Sequence, residues 1–121
     1  MQLHDYFPDF HIAVSHRSDG SFRSRQSIEE FLPDTLHFPL SFLNLEHSDQ
    51  IQILNREIQD YYGDALISIE SEYMIGMVVA DCYPCVIVDH QTKTFALIHC
   101  GWKSLVQNII QLTIDQMKLL N

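Results

Sequence analysis

Apolar and polar positions change rhythm several times along the chain, and each change marks an element. Phe10 to Ser15 alternates like a short strand. Arg17-Ser18-Asp19-Gly20-Ser21-Phe22-Arg23-Ser24-Arg25 crowds Gly, Ser and Asp and predicts a loop. Residues 27–32 have room for one or two helical turns, ended by Pro33. From Leu40 to Leu54 the pattern is strand-like, and the two-residue period puts Leu43, Leu45 and His47 on one face. Residues 55–63 suggest a turn or short helix closed by Gly63. Residues 65–69 form a short strand, and Met74 to Ala80 is apolar enough for a buried central strand. Residues 85–89 and 94–99 read as two strands of a hairpin, with 90–93 as its turn. After Gly101 the period lengthens: Val106, Ile109, Ile110, Thr113, Met117 and Leu120 recur at helical steps and predict one amphipathic helix.

These elements alternate without repeats or linkers over 121 residues, which fits one domain. With 46% hydrophobic and 19% charged residues, the composition is that of a globular chain. The formal net charge is -9, which disfavours a phosphate backbone or a polybasic membrane contact, so neither nucleic acid nor membrane is an expected partner. There is no apolar run of about 18 residues and no cationic, apolar leader, so the expected compartment is the cytoplasm. Three of the four arginines, Arg17 among them, fall in the 17–25 loop. They suit either a solvated loop or an anion site.

The chemistry concentrates in Ala80-Asp81-Cys82-Tyr83-Pro84-Cys85 and Ile98-His99-Cys100-Gly101-Trp102-Lys103. The predicted hairpin returns both segments to one end of a sheet, so Cys82 and His99 become neighbours. A thiolate and an imidazole there suit zinc, and His47 can supply a third ligand, leaving a fourth position open for water. Other readings compete. Cys82-Tyr83-Pro84-Cys85 has the spacing of a redox dithiol, but strand rather than helix follows it. A structural zinc site using Cys82, Cys85, His99 and Cys100 conflicts with side-chain alternation. Cys82 and His99 without metal would make a nucleophile and its base, and plain packing is the remaining reading.

Ala80-Asp81-Cys82-Tyr83-Pro84 followed, after a hairpin, by His99-Cys100-Gly101-Trp102 resembles the multicopper polyphenol oxidase (laccase-like) family, whose members are described as zinc-dependent purine nucleoside phosphorylases and bacterial peptidoglycan editing factors. Asp64-Ala65-Leu66-Ile67-Ser68 resembles the family's strand Asp-Ala-Leu-Val-Thr. Leu45-Glu46-His47-Ser48 matches its Gln-Val-His-Gly only at the histidine, and Ser15-His16-Arg17-Ser18-Asp19-Gly20 resembles its Ser-Thr-Arg-x-Gly-Gly. The resemblance implies an α+β fold, a mixed β-sheet core flanked by helices in a YfiH-like layered sandwich, with this chain forming the N-terminal half to two-thirds. It implies zinc, rather than copper, on His47, Cys82 and His99, with Cys82 and Asp81 in the catalytic machinery. The substrates implied are a purine nucleoside (adenosine, inosine or guanosine) and phosphate, with Arg17 and Lys103 as contacts. Adenosine deamination, for which zinc-activated water is a sound nucleophile, is the related chemistry.

Two departures follow. Members are typically about twice this length, Lys103-Ser104 stands where they have Arg-Gly, and lysine lacks the arginine fork. Alternative functions are a Cys82–His99 amide hydrolase acting on cell-wall peptide precursors and a non-catalytic zinc-binding or partner-binding domain. A sheet edge left open by a short chain would call for a partner or second copy.

Overall fold

A computed structural model describes residues 2–6, 10–32 and 38–120; Pro33, expected to end the first helix, lies outside them. The elements are β1 (Gln2–Tyr6), β2 (Phe10–Val14), a 3₁₀ turn (Arg17–Asp19), α1 (Arg25–Phe31), β3 (Leu40–Leu45), β4 (Ile51–Ile53), β5 (Asp60–Gly63), β6 (Ala65–Ser68), β7 (Met74–Gly76), β8 (Tyr83–Asp89), β9 (Thr94–Cys100), α2 (Trp102–Val106) and α3 (Ile109–Leu119). β1 and β2 form an antiparallel ribbon. A three-stranded parallel sheet has the order β5-β3-β7, and a mixed four-stranded sheet the order β4-β6-β9-β8. The fold is therefore α+β, with the mixed sheet expected from the sequence.

β6 explains how the layers meet. All four of its residues are buried. Ala65 and Ile67 join Ala96, Ile98 and Cys100 of β9 under Ile109 and Met117 of α3. Leu66, on the opposite face, packs with Leu43, Leu54 and Tyr61. An apolar strand without alternation is what burial on both faces requires.

Several expectations need correction. The stretch 40–54 is not one strand: β3 stops at Leu45, and a turn over 46–50 separates it from β4. His47 therefore does not extend the face of Leu43. It sits exposed in that turn with φ 58°. The segment 55–63 ends in β5 rather than in a helix, because its Tyr61 side chain is needed in the second core cluster. Residues 74–80 are not a central strand; only Met74–Gly76 pairs, at the edge beside β3, and its residues are half-buried. Their apolar character serves packing, with Ile75 and Met77 against the second cluster. The C-terminal helix is two helices, broken where Asn108 adopts the left-handed conformation (φ 61°) that Asn tolerates better than most residues.

Candidate functional site

Strand register brings the sequence-predicted trio together. Along β8 and β9, Pro84 lies opposite His99 and Tyr83 opposite Cys100, so Cys82 arrives beside Gly101. Along the parallel pair β3–β5, Leu45 lies opposite Gly63, so the following turn passes Asp64. A β-carbon placed on Gly101 would stand 3.2 Å from His99 Cε1, 3.4 Å from Cys82 Sγ and 3.5 Å from His47 Nδ1. The three side chains thus converge on the one position there that has no side chain of its own. The two imidazoles lie edge to face, with ring centroids 5.1 Å apart.

Beneath the trio sits Asp64, fully buried at the bend between β5 and β6. Its Oδ1 accepts from the backbone N–H of His47 at 3.0 Å and contacts His99 Nδ1 at 2.8 Å. Its Oδ2 accepts from the N–H and the hydroxyl of Ser48, both at 2.7 Å. The His99 N–H also donates to the Asp64 carbonyl at 2.8 Å. Burial by itself raises the pKa of Asp64, but the bonds from His99, Ser48 and His47 outweigh it and hold the carboxyl below its ordinary value. Asp64 is an ionised acceptor surrounded by donors. In the sequence Asp64 marks only the start of a strand; an acidic residue directly before Ala65-Leu66-Ile67 is the signal of a buried carboxylate.

The left-handed turn at His47 costs about 1–3 kcal/mol for a non-glycine residue. The two N–H bonds to Asp64 offset it, and the Ser104 hydroxyl of α2, donating to the Ser48 carbonyl at 2.7 Å, holds the turn from the other side.

The remaining expected residues are more loosely placed. Asp81 is exposed, and the hydrogen bonds to the histidines come from Asp64 instead. Lys103 is exposed, its Nζ 5.6 Å over the Trp102 ring. Arg17 is exposed in the 3₁₀ turn, and Arg25 is engaged by Gln59, Glu29 and Asp60. Cys100 faces away from His99, in the core under α3. Burial, followed by the neighbouring Cys85 and Cys82, pushes its thiol up to about 11. That disposition removes Cys100 from any ligand set shared with His99.

The donor set, one thiol and two imidazoles, matches zinc chemistry. Among the described residues no group of three or more His, Cys, Asp or Glu is placed to hold a metal ion. His99 is nearly fully buried and fixed by Asp64, whereas Cys82 is half-buried and His47 exposed, so the fit to the ion is one of donor type.

An α+β layered fold with Cys and two His at the end of its sheets defines the class. The same fold occurs in the crystal structure of a Neisseria meningitidis protein, with a TM-score of 0.65 and 25% identity over 77% of this chain and 39% of that one. It also occurs in the hypothetical protein YfiH of Bacillus licheniformis, with a TM-score of 0.64 and 21% identity over 75% and 38%. More specifically, the chain belongs to the multi-copper polyphenol oxidoreductase laccase family, which it matches over residues 15–121. It is 33% identical over 79 residues to a purine nucleoside phosphorylase of Clostridium acetobutylicum, covering 65% of this chain and 34% of that protein. A purine nucleoside phosphorylase of Deinococcus radiodurans is 30% identical over 77 residues, 63% of this chain and 30% of its own. A protein named adenosine deaminase RL5, from an unknown prokaryote, is 37% identical over 54 residues, 45% of this chain and 21% of its own. The chain thus spans about a third of the length of the phosphorylases it matches.

Proposed function

We propose that the chain is a zinc-dependent enzyme of the purine nucleoside phosphorylase type, acting on adenosine, inosine or guanosine with phosphate. The observation that carries this reading is the convergence of His47, Cys82 and His99 around Gly101, with Asp64 behind them. The phosphorylases among its relatives support the substrate class. Cys82 Sγ and one nitrogen of each histidine would hold the ion, which supplies Lewis acidity at an open position.

Phosphorolysis breaks the C1′–N9 bond and forms a C1′–O bond to phosphate; the electron pair leaves with the purine, which takes up a proton. The chain's task is to hold phosphate against the sugar. Lys103, beside the site at the start of α2, and Arg17 are the cations assigned to it. Asp81, adjacent to Cys82, is the exposed carboxylate available to a substrate hydroxyl or proton.

A second reading rests on the same distances. Asp64, His99 and Cys82 also form the order of a carboxylate, base and thiol nucleophile, as an amide hydrolase acting on cell-wall peptide precursors would need. The test is release of free base from each nucleoside, with and without phosphate, by the zinc-loaded chain and by Cys82→Ser. Phosphate-dependent release that Cys82→Ser abolishes together with bound zinc is expected. Phosphate-independent loss of ammonia from adenosine would instead indicate deamination. Activity on an amide by metal-free protein would replace the phosphorylase reading with the hydrolase.

A further inference from the structure

We infer that Asp64 is the positioning residue of the site: it fixes His99 in the tautomer carrying its proton on Nδ1, leaving Nε2 as the free donor, and it anchors the His47 turn through the same carboxylate. The inference deepens the metal reading and, for the use of Nε2 as a ligand, rests on it.

Each carboxylate oxygen of Asp64 takes two contacts: Oδ1 meets His47 N–H and His99 Nδ1, and Oδ2 meets Ser48 N–H and Ser48 Oγ. The two backbone groups are obligate donors. An ionised carboxylate only accepts, so His99 Nδ1 must carry the proton at this 2.8 Å contact. Its Nε2 is then unprotonated whenever the ring is neutral, the form a metal takes. The same oxygen ties the backbone of His47, so one side chain sets the position of one ligand and the tautomer of the other. Carboxylates in this relation to a ligating histidine commonly govern metal affinity.

An amide cannot satisfy all four contacts at once. If the NH₂ of Asn took the place of Oδ1, it would face the His47 N–H and donate to His99 Nδ1, moving the ring proton to Nε2 and blocking it. If it took the place of Oδ2, it would face the Ser48 N–H. Ser48→Ala separates the two roles, since it removes one bond to the turn and leaves the His99 contact intact.

The test reads the His99 tautomer by long-range proton–nitrogen NMR in metal-free protein, and zinc affinity by chelator competition, for wild type, Asp64→Asn and Ser48→Ala. The expected result is the Nδ1–H form in wild type and Ser48→Ala, and about 10- to 100-fold weaker zinc binding in Asp64→Asn alone. An Nε2–H ring in wild type, or unchanged zinc affinity in folded Asp64→Asn, overturns the inference. The wild-type tautomer decides the matter even if Asp64→Asn does not fold. An Nδ1–H ring in a wild-type protein that takes up no zinc supports the role of Asp64 and refutes the metal reading, so the two failures are distinct.

Discussion

A single methyl group probes the site most finely. Gly101 has φ −83°, a conformation open to any residue, so the backbone does not require glycine there. The constraint comes from the side chains: a β-carbon would stand 3.2 Å from His99 Cε1, so that ring must give by a few tenths of an ångström, and would touch Cys82 Sγ. Gly101→Ala is therefore expected to fold with nearly wild-type thermal stability while binding zinc about ten-fold more weakly or worse, a loss comparable to that from removing a ligand's support. Calorimetry with and without metal separates the two effects. Unchanged affinity would mean that the trio does not close around this position. Asp64 acts at the same scale from the opposite side, as a buried charge kept ionised by donors that cannot be exchanged for acceptors.

Elements deliver these residues through strand register, and the junction of β5 and β6 is the critical one. There Gly63 passes so close to β4 that a β-carbon would lie 2.8 Å from the Gln50 carbonyl oxygen, the acceptor of the Asp64 and Ala65 N–H groups. Gly63→Ala is expected to destabilise the chain by about 1–3 kcal/mol and to weaken metal binding too, because the shift moves Asp64. Denaturant unfolding checks it, and a stability loss without any effect on metal would separate this bend from the site. The hairpin β8–β9 was legible in the sequence, since β-branched runs flank a polar turn and the pairing is local. So were β6 and the amphipathic face of α3. The turn at His47 was not: the alternation of Leu43, Leu45 and His47 continues smoothly through a break that Asp64, 17 residues later in the chain, and Ser104 hold in place. Likewise, the run 74–80 is apolar enough for a central strand, yet among the described residues only Met74–Gly76 pairs, and only with β3.

At the scale of the whole molecule, the site lies where the two larger sheets meet, with the trio supplied by the turn after β3, the approach to β8 and the end of β9. No helix among the described residues is long and apolar enough to cross a membrane. Tyr83, Trp102 and Val106 are 77%, 73% and 74% exposed, large apolar side chains on the two elements that flank Cys82 and His99. The sequence located the trio because Cys82 and His99 sit in compact motifs. It did not reveal the carboxylate beneath, whose partners lie on three separate segments. The central claim is that three distant residues form one metal site. The most direct measurement is the zinc content of purified wild type, His47→Ala and Cys82→Ser by elemental mass spectrometry. About one zinc per chain in wild type, lost in both variants that remain folded, is the predicted result. Folded wild-type protein without zinc, or zinc retained in both variants, would contradict it.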